Sequence, residues 1–220
     1  ISGKKLPNLA RFVEEELRIT IDPTEAPKTC CDFVSVRKDA LDEGLATGIL
    51  AVLANDKDRF STRAVDRARH GTGHTQQDIF DLRVGNIRSR VPDAVVWPKS
   101  ITEVEALVSF AVEKSLCLIP FGGGTNVTHA THCPPREVDP RPMVSVDMKL
   151  MNSILWINEE DGLVHAEAGI TGGELIRHVE KLGFTIGHIP DSYEFSTLGG
   201  WIATKASGIK QNKYGNIEDI

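Results

Sequence analysis

The sequence is poor in the features that mark several common protein classes. Among 220 residues there are only four cysteines, Cys30, Cys31, Cys117 and Cys133. None forms a C-x-x-C pair, and no cysteine and histidine set has the spacing of a structural zinc site, so no metal is expected. An adjacent pair such as Cys30-Cys31 is a poor disulfide framework, which points to a reducing compartment. Basic residues are not in excess: 25 Lys and Arg against 31 Asp and Glu give a formal net charge of −6. The electrostatic footprint of a nucleic-acid binder is missing, and no nucleic-acid partner is expected. No stretch approaches the ~18 uninterrupted apolar residues of a bilayer span. Repeats and low-complexity tracts are absent. The first residue is Ile1, no signal-peptide layout follows it, and the last residues, Asn216-Ile217-Glu218-Asp219-Ile220, lie inside an apolar/polar pattern. The sequence therefore reads as an internal piece of a longer chain.

What is there suits one or two globular domains, with 40% hydrophobic and 25% charged residues. The apolar spacing predicts a short helix over 6–19, with Leu9, Phe12, Val13 and Leu17 on one face and Glu14-Glu15-Glu16 solvated. A connection containing Pro and Thr follows over 20–36. Positions 37–69 are highly charged around one apolar stretch, Leu45 to Leu53, which is either a helix packed on a larger body or an irregular arm. The character changes at Val91. Ala94-Val95-Val96-Trp97 is strand-like and closed by Pro98. Ser100 and Glu103 have the Ser-x-x-Glu capping-box spacing, and Val104, Leu107, Val108 and Ala111 line one face of the helix they open. Residues 116–119 form a second strand. Further strands are expected at 143–146, 154–157 and, as a half-buried alternating run, 163–168. A helix over 174–181 turns Leu175, Ile176 and Val179 inward and stops at Gly183.

The second strand runs straight into Pro120-Phe121-Gly122-Gly123-Gly124-Thr125-Asn126. Glycine has no Cβ, so this backbone can take φ > 0 and approach a ligand closely, and successive N–H groups in such a loop can hold phosphate oxygens. The loop fits neither common nucleotide pattern. A P-loop ends in Gly-Lys-Ser/Thr, whereas Thr125-Asn126 stands here, and G-x-G-x-x-G would need glycine where Val127 stands. Pro134, Pro135, Pro140 and Pro142 make 128–142 an extended excursion. A second dense segment, from Asp191 to Gly208, is rich in small and hydroxyl residues able to bond phosphate or ribose. Two such segments after apolar runs favour a ligand-lined crevice.

Taken in order, Pro-Phe-Gly-Gly-Gly-Thr, Glu-Ala-Gly-Ile-Thr, Pro-Asp-Ser-x-Glu-Phe-Ser-Thr-x-Gly-Gly-Trp, Thr-x-Ala-Ser-Gly and Tyr-Gly-Asn-Ile-Glu-Asp resemble the alkyldihydroxyacetonephosphate synthase family. These are vanillyl-alcohol-oxidase-like flavoproteins with an FAD domain of the PCMH type. The resemblance runs from about Val91 to the end. A fainter echo, Arg69-His70-Gly71-x-x-His74 through Ile79-Phe80-x-Leu82-Arg83, extends it upstream, and residues 1–60 match loosely. The glycine loop alone is shared across the FAD superfamily; Pro190 to Thr197 together with Trp201 is the more specific part.

The resemblance implies an α+β architecture: an FAD-binding PCMH-type domain over 89–220, incomplete at its carboxyl end, after a mainly helical arm over 1–88. It implies non-covalent FAD, with the pyrophosphate cradled by 120–126, a second contacting segment in Asp191-Ser192-Tyr193-Glu194-Phe195-Ser196-Thr197, and a third near the flavin in Thr204-Lys205-Ala206-Ser207. Catalytic residues and the substrate cap are expected beyond residue 220. The implied reaction exchanges the acyl chain of acyl-dihydroxyacetone phosphate for a long-chain fatty alcohol, forming the ether bond of ether lipids such as plasmalogens without net redox change. The family further implies a homodimer, peripheral membrane association and a peroxisomal location. Two alternatives stand beside this: an FAD-dependent 2-hydroxy-acid dehydrogenase or oxidase of the same superfamily, and a non-catalytic truncated product. Several residues carry bland readings. His70 and His74 have the spacing of a helix-face pair but no third metal ligand; His129 and His132 stand next to the pyrophosphate loop and read equally as solvent-facing turn residues; His188 either approaches the flavin or does not; Trp97, Trp156 and Trp201 read as core.

Overall fold

The structure is a computed structural model and describes residues 7–22, 36, 41–85, 87 and 89–220. Cys30, Cys31 and most of the expected 20–36 connection lie outside these residues. The first helix, α1 (Leu9–Leu17), forms where the spacing predicts, but its apolar side is open, with Leu9, Phe12 and Leu17 each at least 50% exposed.

The stretch from Leu45 to Leu53 is a packed helix. α2 (Glu43–Val52) starts at Asp42, whose Oδ1 accepts from the N–H groups of Gly44 and Leu45 at 2.9 and 3.3 Å. Its Ile49 and the following Leu53 enter one apolar cluster with Ala94, Val96, Leu107, Ala111, Leu116, Val144 and Val146. A short strand, β1 (Phe60–Ser61), and two helices, α3 (Ala64–His70) and α4 (Gln76–Val84), follow. α4 opens with a reciprocal capping box between Thr75 and Asp78.

The central sheet is built from β2 (Ala94–Val96), β3 (Cys117–Phe121) and β4 (Met143–Asp147), with β1 at one edge in the order β1-β2-β4-β3. β1 is antiparallel to β2, and the other three strands are mutually parallel. Both β2 and β4 are buried at every position, as expected of inner strands covered on two faces. α5 (Ile101–Lys114) links β2 to β3. The strand–helix–strand unit read from the sequence is present, but β4 is inserted between its two strands. Nothing local encodes that insertion. The expected boundary between residues 88 and 89 falls inside this sheet and core, since β1, Ile49 and Leu53 lie upstream of it.

Three local expectations are corrected. Ser100 does cap α5, accepting from the Glu103 N–H at 3.2 Å, but the Glu103 carboxylate bonds Lys99 N and the Arg59 guanidinium instead of the Ser100 N–H. Arg59 is buried and also donates to the Leu53 carbonyl at 2.6 Å, so one guanidinium joins the end of α2 to the start of α5. Val108 is 49% exposed, leaving Leu107 and Ala111 as the buried residues of α5. Trp156 is not core. It sits on a hairpin of β5 (Ile154–Asn158) and β6 (Leu163–Ala166), where Leu155, Trp156 and Leu163 are all about half exposed. Trp97 and Trp201 are buried as expected.

α6 (Gly172–Lys181) begins two residues before the expected Glu174, because Thr171 supplies the N-cap of a capping box with Glu174. Leu175, Ile176 and Val179 are buried, and Gly183, at φ +83°, ends the segment. The small-residue segment holds a helix that the sequence reading left out, α7 (Leu198–Thr204), capped by Thr197. α8 (Gln211–Tyr214) and one 3-10 turn complete the chain. Among the described residues no helix is long and apolar enough to cross a membrane.

Leu53 is fully buried, whereas Val112 on the outer face of α5 is 78% exposed. Leu53→Ala is expected to lower stability by about 2–5 kcal/mol, and Val112→Ala by less than about 0.5 kcal/mol, in chemical unfolding of the protein.

Candidate cofactor site

The glycine loop leaves the carboxyl end of β3, beside Asp147 at the end of β4. This is the sheet edge that favours ligands in parallel α/β arrangements. Each glycine has its own reason. A Cβ on Gly122 would overlap Thr197 Oγ1, and one on Gly123 would overlap the Phe195 carbonyl and lie 3.0 Å from Ser196 Cα. Gly124 has φ +66°, and a Cβ there would come within 2.7 Å of the Phe121 ring. The first two glycines therefore admit the 195–197 backbone against the loop, and the third permits the turn.

The opposing segment is held by its own bonds. Thr171 and Thr197 form an antiparallel bridge, the Gly172 N–H donates to the Ser196 carbonyl at 3.0 Å, and Trp201 Nε1 donates to Ser196 Oγ at 2.7 Å. α7 rests on Ala168, to whose carbonyl the Gly199 N–H donates at 2.8 Å. On the other side, the His74 N–H donates to the Asn126 carbonyl at 2.7 Å and Thr131 Oγ1 to the Thr72 carbonyl at 3.0 Å, tying residues 72–74 to the loop. Beneath the loop, Asp147 Oδ2 accepts from Trp97 Nε1 at 2.7 Å and meets His70 Nε2 at 3.0 Å. The His70 ring then packs on Phe121, centroids 4.3 Å apart. His70 Nδ1 faces the Asp66 carbonyl at 2.7 Å, so both of its ring nitrogens are engaged within the protein. His70 ends α3 and His74 lies beyond it, so the two do not share a helix face.

Between the two walls lies a crevice of about 820 Å³. All seven residues of 120–126 line it, as do Ser192, Ser196 and Thr197 and all four residues of 204–207. Asp191, Tyr193, Glu194 and Phe195 do not. Asp191, Glu194 and Phe195 are exposed, and the Tyr193 carbonyl accepts from the Gly173 N–H at 2.9 Å, supporting the start of α6. The sequence reading missed lining residues from α7 (Gly199, Gly200, Trp201 and Ala203), from 127–131, and the apolar side chains of Val104 and Met148. The α7 residues had a signal: Thr197 is a good N-cap, and Gly200, Ala203 and Thr204 recur at helical spacing. Val104 and Met148 had none, because only the strand order brings them there.

His188 is fully buried and is not among the lining residues. Its ring packs edge-on against Trp201, which is, with centroids 5.0 Å apart. Neither ring nitrogen has a hydrogen-bond partner among the described residues. Burial pushes its pKa below the usual histidine value, partly opposed by the Glu218 carboxylate.

The site accommodates a dinucleotide. Its volume falls in the range of cofactor pockets. Among the described residues, the N–H groups of Gly123, Gly124 and Thr125 make no backbone bond, leaving donors for phosphate oxygens. A family profile described as an FAD binding domain matches residues 92–220. The chain belongs to this FAD-binding family. The expected α+β FAD-binding fold and FAD cofactor are thereby established.

The chain is 44% identical over all 220 residues to the alkyldihydroxyacetonephosphate synthase of Caenorhabditis elegans, of which it spans 36%. A solved alkyldihydroxyacetonephosphate synthase superposes on 97% of the chain and 39% of its own length, at a TM-score of 0.82 and 34% identity. Similarity to a mitochondrial D-lactate dehydrogenase [cytochrome] of Arabidopsis thaliana is more limited, at 31% identity over 74% of this chain and 26% of that protein. The chain thus spans about a third of the curated synthases it matches.

Two outcomes follow from the geometry. Gly123→Ala places its Cβ on backbone atoms of Phe195 and Ser196, which cannot rotate away, and is expected to lower bound flavin at least about tenfold; Gly162→Ala, whose φ of +66° strains only the β5–β6 turn and whose Cβ meets nothing, retains it. The ratio of flavin to protein absorbance in the purified protein measures both. For His188, a depressed folded pKa means that the neutral ring's contribution is fully present above the unfolded value of about 6.5 and is lost as pH falls through the lower folded value. The midpoint of thermal unfolding should fall below pH 6.5, and His188→Leu should flatten that acid limb.

Proposed function

We propose that this chain is the cofactor-binding part of an alkylglycerone-phosphate synthase. Its substrates are acyl-dihydroxyacetone phosphate and a long-chain fatty alcohol; the alcohol replaces the acyl chain, a fatty acid leaves, and an ether bond forms without net redox change. The observation carrying this reading is 44% identity with a named synthase over all 220 residues. Within the chain, 120–126 would hold the pyrophosphate, 191–197 would form the facing segment through Ser192, Ser196 and Thr197, and 204–207 would lie toward the flavin. Bound FAD supplies the reactive ring system that the exchange requires. The chain's own residues bind it, orient it and exclude water: Val104, Met148, Ala203 and Trp201 give the crevice apolar walls, while Thr125 and Thr197 offer hydroxyls. The groups acting on the substrates lie outside these 220 residues. The reading extends to a homodimer, peripherally associated with membrane, serving plasmalogen synthesis in the peroxisome.

The test uses the full-length protein with its flavin, held without oxygen or any electron acceptor. Acyl-dihydroxyacetone phosphate and a labelled fatty alcohol should give a labelled ether. Bleaching of the flavin by a 2-hydroxy acid, with no ether formed, would instead identify a dehydrogenase on the same domain.

A further inference from the structure

One cluster of potential metal ligands outside the crevice has a composition and layout that the sequence does not announce. Asp78, in the first turn of α4, meets His129 and His132 from the far side of the glycine loop, and one ligand atom from each lies within 4.8 Å of the others. Among the described residues it is the one group of this kind. The two imidazoles are stacked, centroids 4.3 Å apart and planes 17° from parallel. His132 Nε2 lies 3.0 Å from Asp78 Oδ1.

The Asp78 carboxylate is divided between two tasks. Its Oδ2 is taken by the capping box, accepting from Thr75 Oγ1 at 2.8 Å and the Thr75 N–H at 3.3 Å. Its Oδ1 faces the imidazoles. Asp78 is 5% exposed, His132 is half-buried and His129 is open to solvent, so the cluster has a fixed inner carboxylate and an accessible outer side.

The turn carrying both histidines is anchored. The Ala130 N–H donates to Asn126 Oδ1 at 3.0 Å, Asn126 Nδ2 donates to Thr131 Oγ1 at 3.1 Å, and the His132 N–H closes the turn on the His129 carbonyl at 3.0 Å. Asn126 is the last residue of the glycine loop and lines the crevice.

From this arrangement the geometry points to a divalent transition-metal site, with Zn²⁺ as its ion, ligated by Asp78 Oδ1 and one ring nitrogen each from His129 and His132, with water completing the shell. Two imidazoles and a carboxylate are a donor set that zinc accepts. Bonds of about 2.0–2.1 Å in a tetrahedral site put ligand atoms roughly 3.3 Å apart. Asp78 Oδ1 and His132 Nε2 are 3.0 Å apart, and the exposed His129 ring must turn out of its stack with His132 to aim a nitrogen at the same point. Bound metal replaces the Asp78–His132 contact with a cross-link between α4 and the 126–132 turn, fixing the outer end of the glycine loop. The inference is independent of the substrate proposed above.

The test is Zn²⁺ titration of the full-length, flavin-loaded protein against a chromophoric chelator, with Co²⁺ absorption as a second readout. One site is expected whose affinity falls at least about tenfold in His129→Ala and in His132→Ala, with visible Co²⁺ bands lost in both. His165→Ala, in the exposed β6, should leave both readouts unchanged. His129→Ala leaves the Asp78–His132 pair and the capping box in place, and unchanged flavin content in that variant separates metal loss from unfolding. No zinc uptake by the unsubstituted protein, or equal zinc affinity in His129→Ala, overturns the site and leaves the pair as an ordinary imidazole–carboxylate contact.

Discussion

The site depends on one close approach. The backbone at 122–123 and the backbone and Thr197 side chain of 195–197 lie so near each other that no Cβ fits between them on the loop side. Everything that shapes the crevice follows from that contact. It places the loop and Thr197, the residue that caps α7, on one crevice, and it brings the small residues of α7 to the same opening. The two segments are far apart in the sequence and each is unremarkable alone; together they leave a gap of dinucleotide size.

Such a contact needs rigid backing, and much of it is buried and polar. Asp147 gathers Trp97, His70 and the N–H of Lys149 at the end of β4, and through the His70 ring it supports Phe121, against which Gly124 turns. At the other end of the sheet Asp93, fully enclosed, accepts from Arg136 at 2.6 Å and from the Met143 N–H at 2.9 Å and pairs with Arg90. Arg90 also donates to the carbonyls of Pro134, Asp139 and Arg141. The excursion between β3 and β4 has few N–H donors because of its prolines, and one guanidinium satisfies several of its carbonyls. Buried carboxylates paired this way fix geometry more than they add stability.

Much of the architecture was legible locally because local rules decide it. The apolar runs of β2 and β4, the Ser100 cap and the inward face of α6 all appear where periodicity and capping chemistry put them. Trp156 shows where this stops. An aromatic in a strand pattern reads as core, yet β5 and β6 form a two-stranded ribbon whose outer side chains have no layer above them among the described residues. α7 was obscured for another reason: glycine and hydroxyl residues favour loops by propensity, and only the Thr197 cap and the packing on Ala168 make them helical. Of the expected site, the loop residues and 204–207 meet at the crevice, whereas Asp191, Tyr193, Glu194 and Phe195 do not line it. Motif reading assigns a whole segment, but of 191–197 the fold turns only Ser192, Ser196 and Thr197 to the crevice.

By itself the sequence determined the chemistry on offer: a phosphate-sized glycine loop after a strand, a second segment of small and hydroxyl residues, and a composition with no basic face and no long apolar run. These are properties of residue types and short spacing, and they survive without knowledge of the fold. Only the tertiary structure decided that β4 enters between β2 and β3, that residues 43–61 share the core of the FAD-binding domain, and that Asp78 meets His132 across 54 positions of sequence. Contacts of that separation are set by strand order and by which surfaces are left to pack, and no local periodicity records either.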